Sequence, residues 1–262
     1  MERMRKEAAI VTGASSGIGC AISRKLCELG YEVFGLGRDF GKLQTAEEEF
    51  HPVVPDMLET EPFHPVVPDV LEMEGFHPVV LDVLETEKLC ACVKQITSQC
   101  QVRILVNNAG VGYYGLHEEL NPRKIKELVR TNLEVPMILT QQLLRQLKKN
   151  AGYVINISSV TANESNPHGC AYGASKAGLA SFSHSLFDET RKYGVKVMTI
   201  FPDMTKTNLY RHADFQEGEE IETYLLPEEV AAAVEFMLSQ REGMVVSDLT
   251  LKPQIHRIQR KR

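Results

Sequence analysis

Short apolar runs alternate with longer segments of helical periodicity, and this alternation constrains the fold more than any other feature. The apolar runs indicate strands, which lie at residues 8–12, 32–37, 79–82, 103–107, 153–158, 195–201 and 244–251. Helices are indicated between them, at residues 17–29, 41–49, 85–100, 122–149, 170–193 and 227–240. Apolar strands that alternate with helices are typical of a parallel sheet covered on both faces. We therefore predict a doubly wound α/β fold with about seven parallel strands.

The length and composition narrow the class of protein. The 262 residues suit one large domain or two small ones. Because no linker divides the chain, we predict a single domain over residues 1–262. No apolar run approaches the ~20 residues that span a bilayer, and the charge balance does not suggest nucleic-acid binding. The six cysteines match no metal or disulfide pattern, so we expect a cytoplasmic protein with reduced thiols and without a metal.

The excess negative charge is confined to a repeat. Near-copies of one 13-residue sequence begin at Phe50, Phe63 and Phe76, and residues 50–75 carry six acidic groups and no Lys or Arg. These six equal the whole formal net charge of −6. The third copy lacks the second proline and leads into a helix, so we predict that it forms a central strand. Residues 50–75 are then an acidic insertion, either a solvated loop or a binding flap, which we expect to project away from a bound cofactor.

A glycine-rich loop follows the first predicted strand, in the sequence Thr12-Gly13-Ala14-Ser15-Ser16-Gly17-Ile18-Gly19. It opens a helix, whose N-terminus presents unpaired N–H groups and a positive dipole end that suit a pyrophosphate. Glycine also lets a phosphate approach the backbone closely. A tight structural turn is the alternative. The position of the glycine-rich loop at the first strand-to-helix junction favours a Rossmann-like dinucleotide site.

The end of the second predicted strand bears on which nicotinamide cofactor binds. NAD sites usually have an acidic residue there that binds both ribose hydroxyls. In this chain Gly37 occupies that position and Arg38 follows. A small residue and a guanidinium leave room for a 2′-phosphate and give it a cationic partner. We expect NADP(H) to be favoured, with NAD(H) possible if Arg38 is only a surface charge that pairs with Asp39.

Two residues with proton-transfer chemistry lie on one helix face. Tyr172 and Lys176 are four residues apart at the start of a predicted helix. A tyrosine pKa of about 10 is too high for proton transfer at neutral pH, and a nearby positive charge would lower it. Ser159 lies thirteen residues before Tyr172, at the end of the fifth predicted strand. Ligands of open parallel sheets bind beyond such strand ends.

These motifs, in this order, cover residues 8 to about 207. They are TGASSGIG at 12–19, Asp82-Val83, Asn107-Asn108-Ala109-Gly110, Asn132, Ser159, Tyr172 and Lys176. In the identity and order of these motifs the chain resembles a single-domain member of the short-chain dehydrogenase/reductase (SDR) family. The resemblance implies an NADPH-dependent oxidoreductase that reduces a carbonyl or oxidises a secondary alcohol by hydride transfer. A 3-oxoacyl thioester reductase and a catalytically silent nucleotide-binding regulator are the alternatives.

The resemblance also implies a role for each matched residue. Tyr172 would exchange a proton with the substrate oxygen, Lys176 would bind the nicotinamide ribose and lower the pKa of Tyr172, and Ser159 would orient the carbonyl. Asn132 would support a proton relay through water. The cofactor-binding set, with Arg38 included, is Gly13, Ser15, Ser16, Gly17, Ile18, Gly19, Arg38, Asp82, Val83, Asn108, Ala109, Gly110, Tyr172, Lys176, Pro202, Thr205 and Thr207.

One backbone feature can be predicted near Asn132. Pro136 lies four residues later and has no N–H for the Asn132 carbonyl. We therefore predict a kink in the helix there, with this carbonyl directed toward the proton relay.

Other parts of the chain depart from the family or are less specific. Asp203 follows Pro202 where many relatives have glycine, and a positive φ at this position would strain an aspartate. The basic tail from His256 is expected to be a solvated end. Substrate-facing candidates are Tyr113, Tyr114, Asn163, His168 and residues 208–226, which the family implies are a mobile lid and which could equally be a connecting loop.

The expected partner is a small carbonyl or alcohol substrate whose identity the sequence does not specify. Relatives commonly assemble through their long helices and last strand, so the resemblance implies a homodimer or homotetramer.

Overall fold

A computed structural model describes residues 7–41, 69–211 and 213–261 of the chain. Its strands are β1 (Glu7–Thr12), β2 (Glu32–Gly37), β3 (Phe76–Val80), β4 (Gln101–Asn107), β5 (Tyr153–Ile157), β6 (Lys196–Pro202), β7 (Phe215–Glu217), β8 (Asp248–Leu251) and β9 (Ile258–Arg260). Seven of them form one sheet in the order β3-β2-β1-β4-β5-β6-β8. Every neighbouring pair in this sheet is parallel. This confirms the prediction of a doubly wound, Rossmann-like fold.

Helices cover both faces of the sheet. They are α1 (Gly17–Glu28), α2 (Thr86–Gln99), α3 (Pro122–Val129), α4 (Val135–Asn150), α5 (Cys170–Thr190) and α6 (Pro227–Leu238). Successive residues of β1 alternate between two buried clusters, since Val11 packs with Ile22 of α1 while Ile10 packs with Leu139 of α4. Each face of the sheet therefore has its own core. The helix predicted at residues 41–49 lies outside the described residues except for Gly41.

The third strand lies at the sheet edge, not at its centre as predicted. β3 begins at Phe76 and pairs only with β2 among the described strands, with Pro78 opposite Gly35. An edge strand tolerates proline because one side of its backbone needs no partner strand. Leu81 continues the pairing with an N–H that donates to the Gly37 carbonyl.

The end of the predicted insertion packs on the folded body. Asp69–Glu72 form a 3₁₀ turn, and the side chains of Leu71 and Met73 contact the α1 face of the core. The Val33 N–H donates to the Gly75 carbonyl, which ties this end to β2. Residues 50–68 of the predicted insertion lie outside the described residues.

The helix predicted over residues 122–149 is interrupted at the position where Pro136 removes a donor. Arg130–Glu134 form a π turn between α3 and α4, and Pro136 lies in the first turn of α4. Such turns occur mostly as single bulges in helices, often at functional sites. The irregular turn therefore lies where Pro136 removes a donor, and both the kink and the direction of the Asn132 carbonyl stay predictions.

The C-terminal end is not a simple solvated tail. β9 pairs in antiparallel orientation with β7, so that Ile258 lies opposite Glu217 and Arg260 opposite Phe215. The seventh strand of the main sheet begins at Asp248, four residues later than the predicted start at 244. The chain after this strand thus returns over the segment that follows β6.

Candidate active site

A cleft lies at the carboxyl ends of the sheet strands, where the strand order reverses between β1 and β4. Of the predicted catalytic and cofactor-binding residues, Gly19 and Asn132 do not line this cleft, and neither do the substrate-facing candidates Tyr113, Tyr114, Asn163 and His168. Those that do are Gly13, Ser15, Ser16, Gly17, Ile18, Arg38, Asp82, Val83, Asn108, Ala109, Gly110, Ser159, Tyr172, Lys176, Pro202, Thr205 and Thr207. The fold therefore brings together residues that are up to 194 positions apart in the sequence.

The glycine loop forms the floor of the cleft beside β1. Gly13 and Gly17 have φ values of 67° and 54°, which favour glycine. Ser16 makes no side-chain capping bond to α1, and the first turn of α1 contains no acidic residue. These features leave the positive end of α1 suited to a phosphate group. The loop thus fits the pyrophosphate of a dinucleotide.

Gly19 packs behind the loop. A Cβ added at Gly19 would lie 2.2 Å from the Gly13 carbonyl oxygen and 2.4 Å from Asn108 Nδ2. The Asn108 side chain donates to the Thr12 carbonyl at 2.9 Å, and the Thr12 hydroxyl accepts from the N–H groups of Asn108 and Ala109. The end of β4 and the glycine loop are therefore joined directly.

The end of β2 carries the residues that bear on which nicotinamide cofactor binds. A Cβ added at Gly37 would lie 3.0 Å from both the Phe40 ring and Ser15 Cβ, so a larger residue would require these neighbours to shift. Arg38 is exposed and lines the cleft. Asp39 Oδ1 accepts the Gly41 N–H at 2.7 Å, which gives this carboxylate a role within the turn. A guanidinium therefore borders the cleft where an acid would bind ribose hydroxyls.

Ser159, Tyr172 and Lys176 meet where β5 ends against α5. Tyr172 and Lys176 are each 4% exposed, and Lys176 Nζ lies 5.9 Å from the centre of the Tyr172 ring. Lys176 Nζ donates to the Ile157 carbonyl at 2.8 Å, which fixes the ammonium at the end of β5. The Ser159 side chain interacts with Tyr172 and acts to lower its pKa. This arrangement can transfer a proton to an oxygen bound beside Tyr172.

Burial dominates the electrostatics of this pair. It raises the pKa of Tyr172 to about 12, and the interaction with Ser159 acts in the opposite direction. Burial also lowers the pKa of Lys176 to about 8. The sequence suggested that Lys176 would lower the tyrosine pKa, but in the structure the lowering comes from Ser159, and desolvation outweighs it. An additional interaction is needed to favour the phenolate.

The neighbouring Ser158 has a different role. Its hydroxyl donates to the Lys176 carbonyl at 3.0 Å and so joins β5 to α5. Ser159, by contrast, interacts with Tyr172 and accepts the Thr161 hydroxyl at 3.0 Å. This geometry agrees with the choice of Ser159 as the residue that faces the substrate.

Asn132 lies behind the cleft rather than in it. It is fully buried in the π turn, and its side chain pairs with both backbone groups of Val111, at 2.9 Å and 3.0 Å. Its Nδ2 also donates to the Ser175 hydroxyl. A Cβ added at Gly110 would lie 3.4 Å from Asn132 Oδ1 and 3.6 Å from Lys176 Nζ. Asn132 thus holds the chain after β4 close to Lys176, and its relay role stays a prediction.

The segment after β6 is unstrained despite Asp203. Among the described residues other than glycine, only Ala151 and His168 have positive φ, so the strain considered for Asp203 is not present. Asp203 Oδ1 accepts the Met204 N–H at 2.8 Å. Thr207 lies against the glycine loop, since its methyl group is 3.0 Å from a Cβ added at Gly17. The segment therefore closes the cleft over the loop.

Several lining residues carried no sequence signal. Glu127 and Thr131 enter the cleft from α3 and the π turn, and Glu127 Oε2 accepts the Tyr113 hydroxyl at 2.8 Å. Tyr210 and Arg211 enter from the predicted lid. These residues belong to no motif, and only the polar and aromatic character of residues 208–226 pointed toward the site.

Within residues 7–41, 69–211 and 213–261, no group of three His, Cys, Asp or Glu residues is arranged to bind a metal ion. None of the helices in these ranges is long and apolar enough to cross a membrane.

Comparison with known proteins gives consistent matches over most of the chain. The family model described as short chain dehydrogenase matches residues 7–73 and 58–218. The 3-oxoacyl-(acyl-carrier-protein) reductase FabG of Rickettsia conorii is 30% identical over an alignment of 243 residues that covers 90% of this chain and 90% of its own. An uncharacterized oxidoreductase of Staphylococcus epidermidis is 27% identical and covers 97% of this chain and 100% of its own.

A solved structure with a bound cofactor is also similar. The crystal structure of a metagenomic short-chain oxidoreductase in complex with NADP is 26% identical, with a TM-score of 0.72, and covers 95% of this chain and 98% of its own.

Proposed function

The chain belongs to the short-chain dehydrogenase family, and we propose that it is an NADPH-dependent oxidoreductase that interconverts a carbonyl and a secondary alcohol. The observation that carries this proposal is the meeting of Ser159, Tyr172 and Lys176 at the same cleft as the glycine loop. One end of the cleft fits a dinucleotide and the other holds a proton donor.

Each side chain has a distinct task in the proposed reaction. Ser159 donates a hydrogen bond to the substrate oxygen and orients it, while Tyr172 delivers a proton to that oxygen during reduction. Lys176 is held by the Ile157 carbonyl close to Tyr172. When Lys176 is protonated, its positive charge favours the phenolate form of Tyr172. Asn132 acts through its bonds to Val111 and supports the proton relay to Lys176. Bound NADPH would supply the hydride to the carbonyl carbon and leave as NADP⁺.

The cofactor preference rests on the adenosine end of the cleft. The proposed cofactor-binding residues fit NADP(H) because Gly37 has no room for an acidic side chain without a shift of its neighbours. Arg38 offers a guanidinium to the 2′-phosphate. The NADP complex of the metagenomic relative adds support. NAD(H) is the alternative cofactor.

The test is NADPH oxidation against a panel of ketones, aldehydes and 3-oxo esters. We expect turnover by the wild type that Tyr172→Phe lowers by about 10³-fold, within the range for loss of a general acid. The matched control is Tyr193→Phe, since Tyr193 is exposed at the end of α5 and remote from the cleft lining. Absence of turnover on the whole panel would contradict the proposal.

A 3-oxoacyl thioester reductase is the second candidate. It is favoured by the similarity to the Rickettsia conorii reductase. Reduction of a 3-oxoacyl thioester in preference to free ketones would support it over a reductase of small carbonyl compounds.

A further inference from the structure

The C-terminal segment is held against the segment that borders the active site. We call residues 252–261 the tail, and residues 208–211 with 213–224 the lid. β9 of the tail pairs with β7 of the lid. The Lys261 N–H donates to the Asp214 carbonyl at 2.8 Å, and the Ile255 N–H donates to the Glu222 carbonyl at 2.9 Å. Backbone bonds thus join the tail to the lid on either side of β7, at Asp214 before the strand and at Glu222 after it.

Side chains reinforce this pairing. Lys261 Nζ donates to the Tyr210 carbonyl at 2.6 Å, Gln259 donates to Glu219, and Arg257 pairs with Glu220 at 3.2 Å. Exposed pairs of this kind contribute little one by one. Together with the strand pairing, they connect the tail to the lid at successive positions.

The tail also reaches the other side of the site. Lys252 Nζ pairs with Glu164 Oε1 at 2.5 Å, and Glu164 lies just beyond Ser159 on the segment that follows β5. The tail therefore connects the lid with the segment that carries the proposed substrate-orienting serine.

The lid presents aromatic rings to the proposed proton donor. Phe215 and Tyr210 lie 5.0 Å and 5.9 Å from Tyr114, measured between ring centres, and 5.5 Å from each other. Tyr114 in turn lies 5.7 Å from Tyr172. Rings at these separations are in direct contact. We call Tyr114, Tyr210 and Phe215 the aromatic wall.

We infer that the tail fixes the aromatic wall over Tyr172, and that the wall limits the substrate to a compact carbonyl compound. A substrate oxygen must reach Tyr172, which is only 4% exposed. A substrate attached to a carrier through a long arm would have to extend outward past the wall. Rings that are in contact leave no passage for such an arm unless β7 separates from β9. This inference rests on the proposed function and names its substrate class.

Two compounds with the same reacting group test the inference. Methyl acetoacetate is compact, whereas acetoacetyl-pantetheine carries the arm of a thioester carrier. We expect the wild type to prefer the ester by about tenfold or more in kcat/KM, as for discrimination by a hydrophobic pocket. A chain that ends at Leu251 and the variant Phe215→Ala should each reduce this preference by about tenfold. Phe236→Ala, which removes an exposed ring on α6, should leave it unchanged.

The outcomes separate this inference from the proposed function. Equal or better use of acetoacetyl-pantetheine by the wild type would overturn the compact-substrate inference and leave the oxidoreductase in place. A preference that survives both tail removal and Phe215→Ala would also overturn it. The same holds if the wild type reduces panel ketones but neither test compound, because methyl acetoacetate is itself compact. Failure on the whole carbonyl panel would instead remove the proposed function.

Discussion

The two sides of the cleft are built in different ways. The cofactor side depends on backbone geometry, since Gly13 and Gly17 adopt positive φ and Gly19 packs against the Gly13 carbonyl. The substrate side depends on side chains from distant segments, where the aromatic wall is held by the tail. A side of the cleft that is formed by the backbone tolerates few substitutions and accepts only one kind of ligand. A side built from side chains can change its specificity while the chemistry stays the same.

The comparison predicts that the cofactor side is the more sensitive to small changes. Gly19→Ala adds one carbon 2.2 Å from a backbone oxygen, where no flexible side chain can give way. We expect a loss of about 1 to 3 kcal/mol in the free energy of unfolding, as for overpacked cores, and weaker binding of NADPH. Thermal unfolding and cofactor titration measure both.

Gly243→Ala is the matched control for that substitution. The nearest atom to its added Cβ is the end of the Arg241 side chain, which can move. Equal effects of the two substitutions would show that the glycine loop has no special packing requirement.

The buried Lys176 gives a pH-dependent contribution to stability. Its pKa is lowered from 10.5 to about 8 in the folded protein. Between these values the lysine binds a proton in the unfolded chain more often than in the folded one, so the contribution of Lys176 to stability rises with pH from about 8 toward 10. We expect this contribution to be on the order of 2 kcal/mol, measured as the difference in pH dependence between the wild type and Lys176→Met. Urea unfolding at several pH values measures the slope.

Other buried groups act in the opposite sense, since burial raises the pKa of the Cys27 and Cys92 thiols from 9.0 to about 11, and Tyr172 adds to this at higher pH. The pKa of Tyr172 is raised to about 12, so above pH 10 the folded protein retains a proton that the unfolded chain loses, and stability falls. A slope between pH 8 and 10 that is the same in wild type and Lys176→Met would contradict the account of a desolvated lysine.

Arg38→Ala should act on one cofactor alone. Loss of the guanidinium removes a charge-assisted partner of the 2′-phosphate, so we expect KM for NADPH to rise by about tenfold while KM for NADH stays the same. NADH serves as the internal control, because it lacks the phosphate. An unchanged preference for NADPH would mean that another group recognises the phosphate.

The two sides also differ in how far the sequence predicts them. The glycine loop and Ser159 follow strand ends, which meet at one edge of a parallel sheet, and Tyr172 and Lys176 form a short motif at the start of the next helix. These residues can therefore be predicted once the strand order is predicted. The contact between Gly110 and Asn132 is harder to predict from the sequence, because it depends on the π turn that Pro136 induces.

The substrate side was not predictable in the same way. β9 is a three-residue strand of exposed side chains whose partner lies about 40 positions earlier, so no local periodicity indicates it. The edge position of β3 was missed because Pro78 is compatible with either the start of a central strand or an edge strand. Pairings of this kind depend on long-range packing rather than on local propensity.

The most direct measurement of the central claim is to follow cofactor binding and turnover in the same preparation of Tyr172→Phe. If the cofactor side is built independently of the proton donor, NADPH will bind with its wild-type affinity while carbonyl reduction falls by about 10³-fold. If NADPH binding falls together with turnover, or if turnover is retained, the division of the cleft into a cofactor side and a proton-transfer side is contradicted.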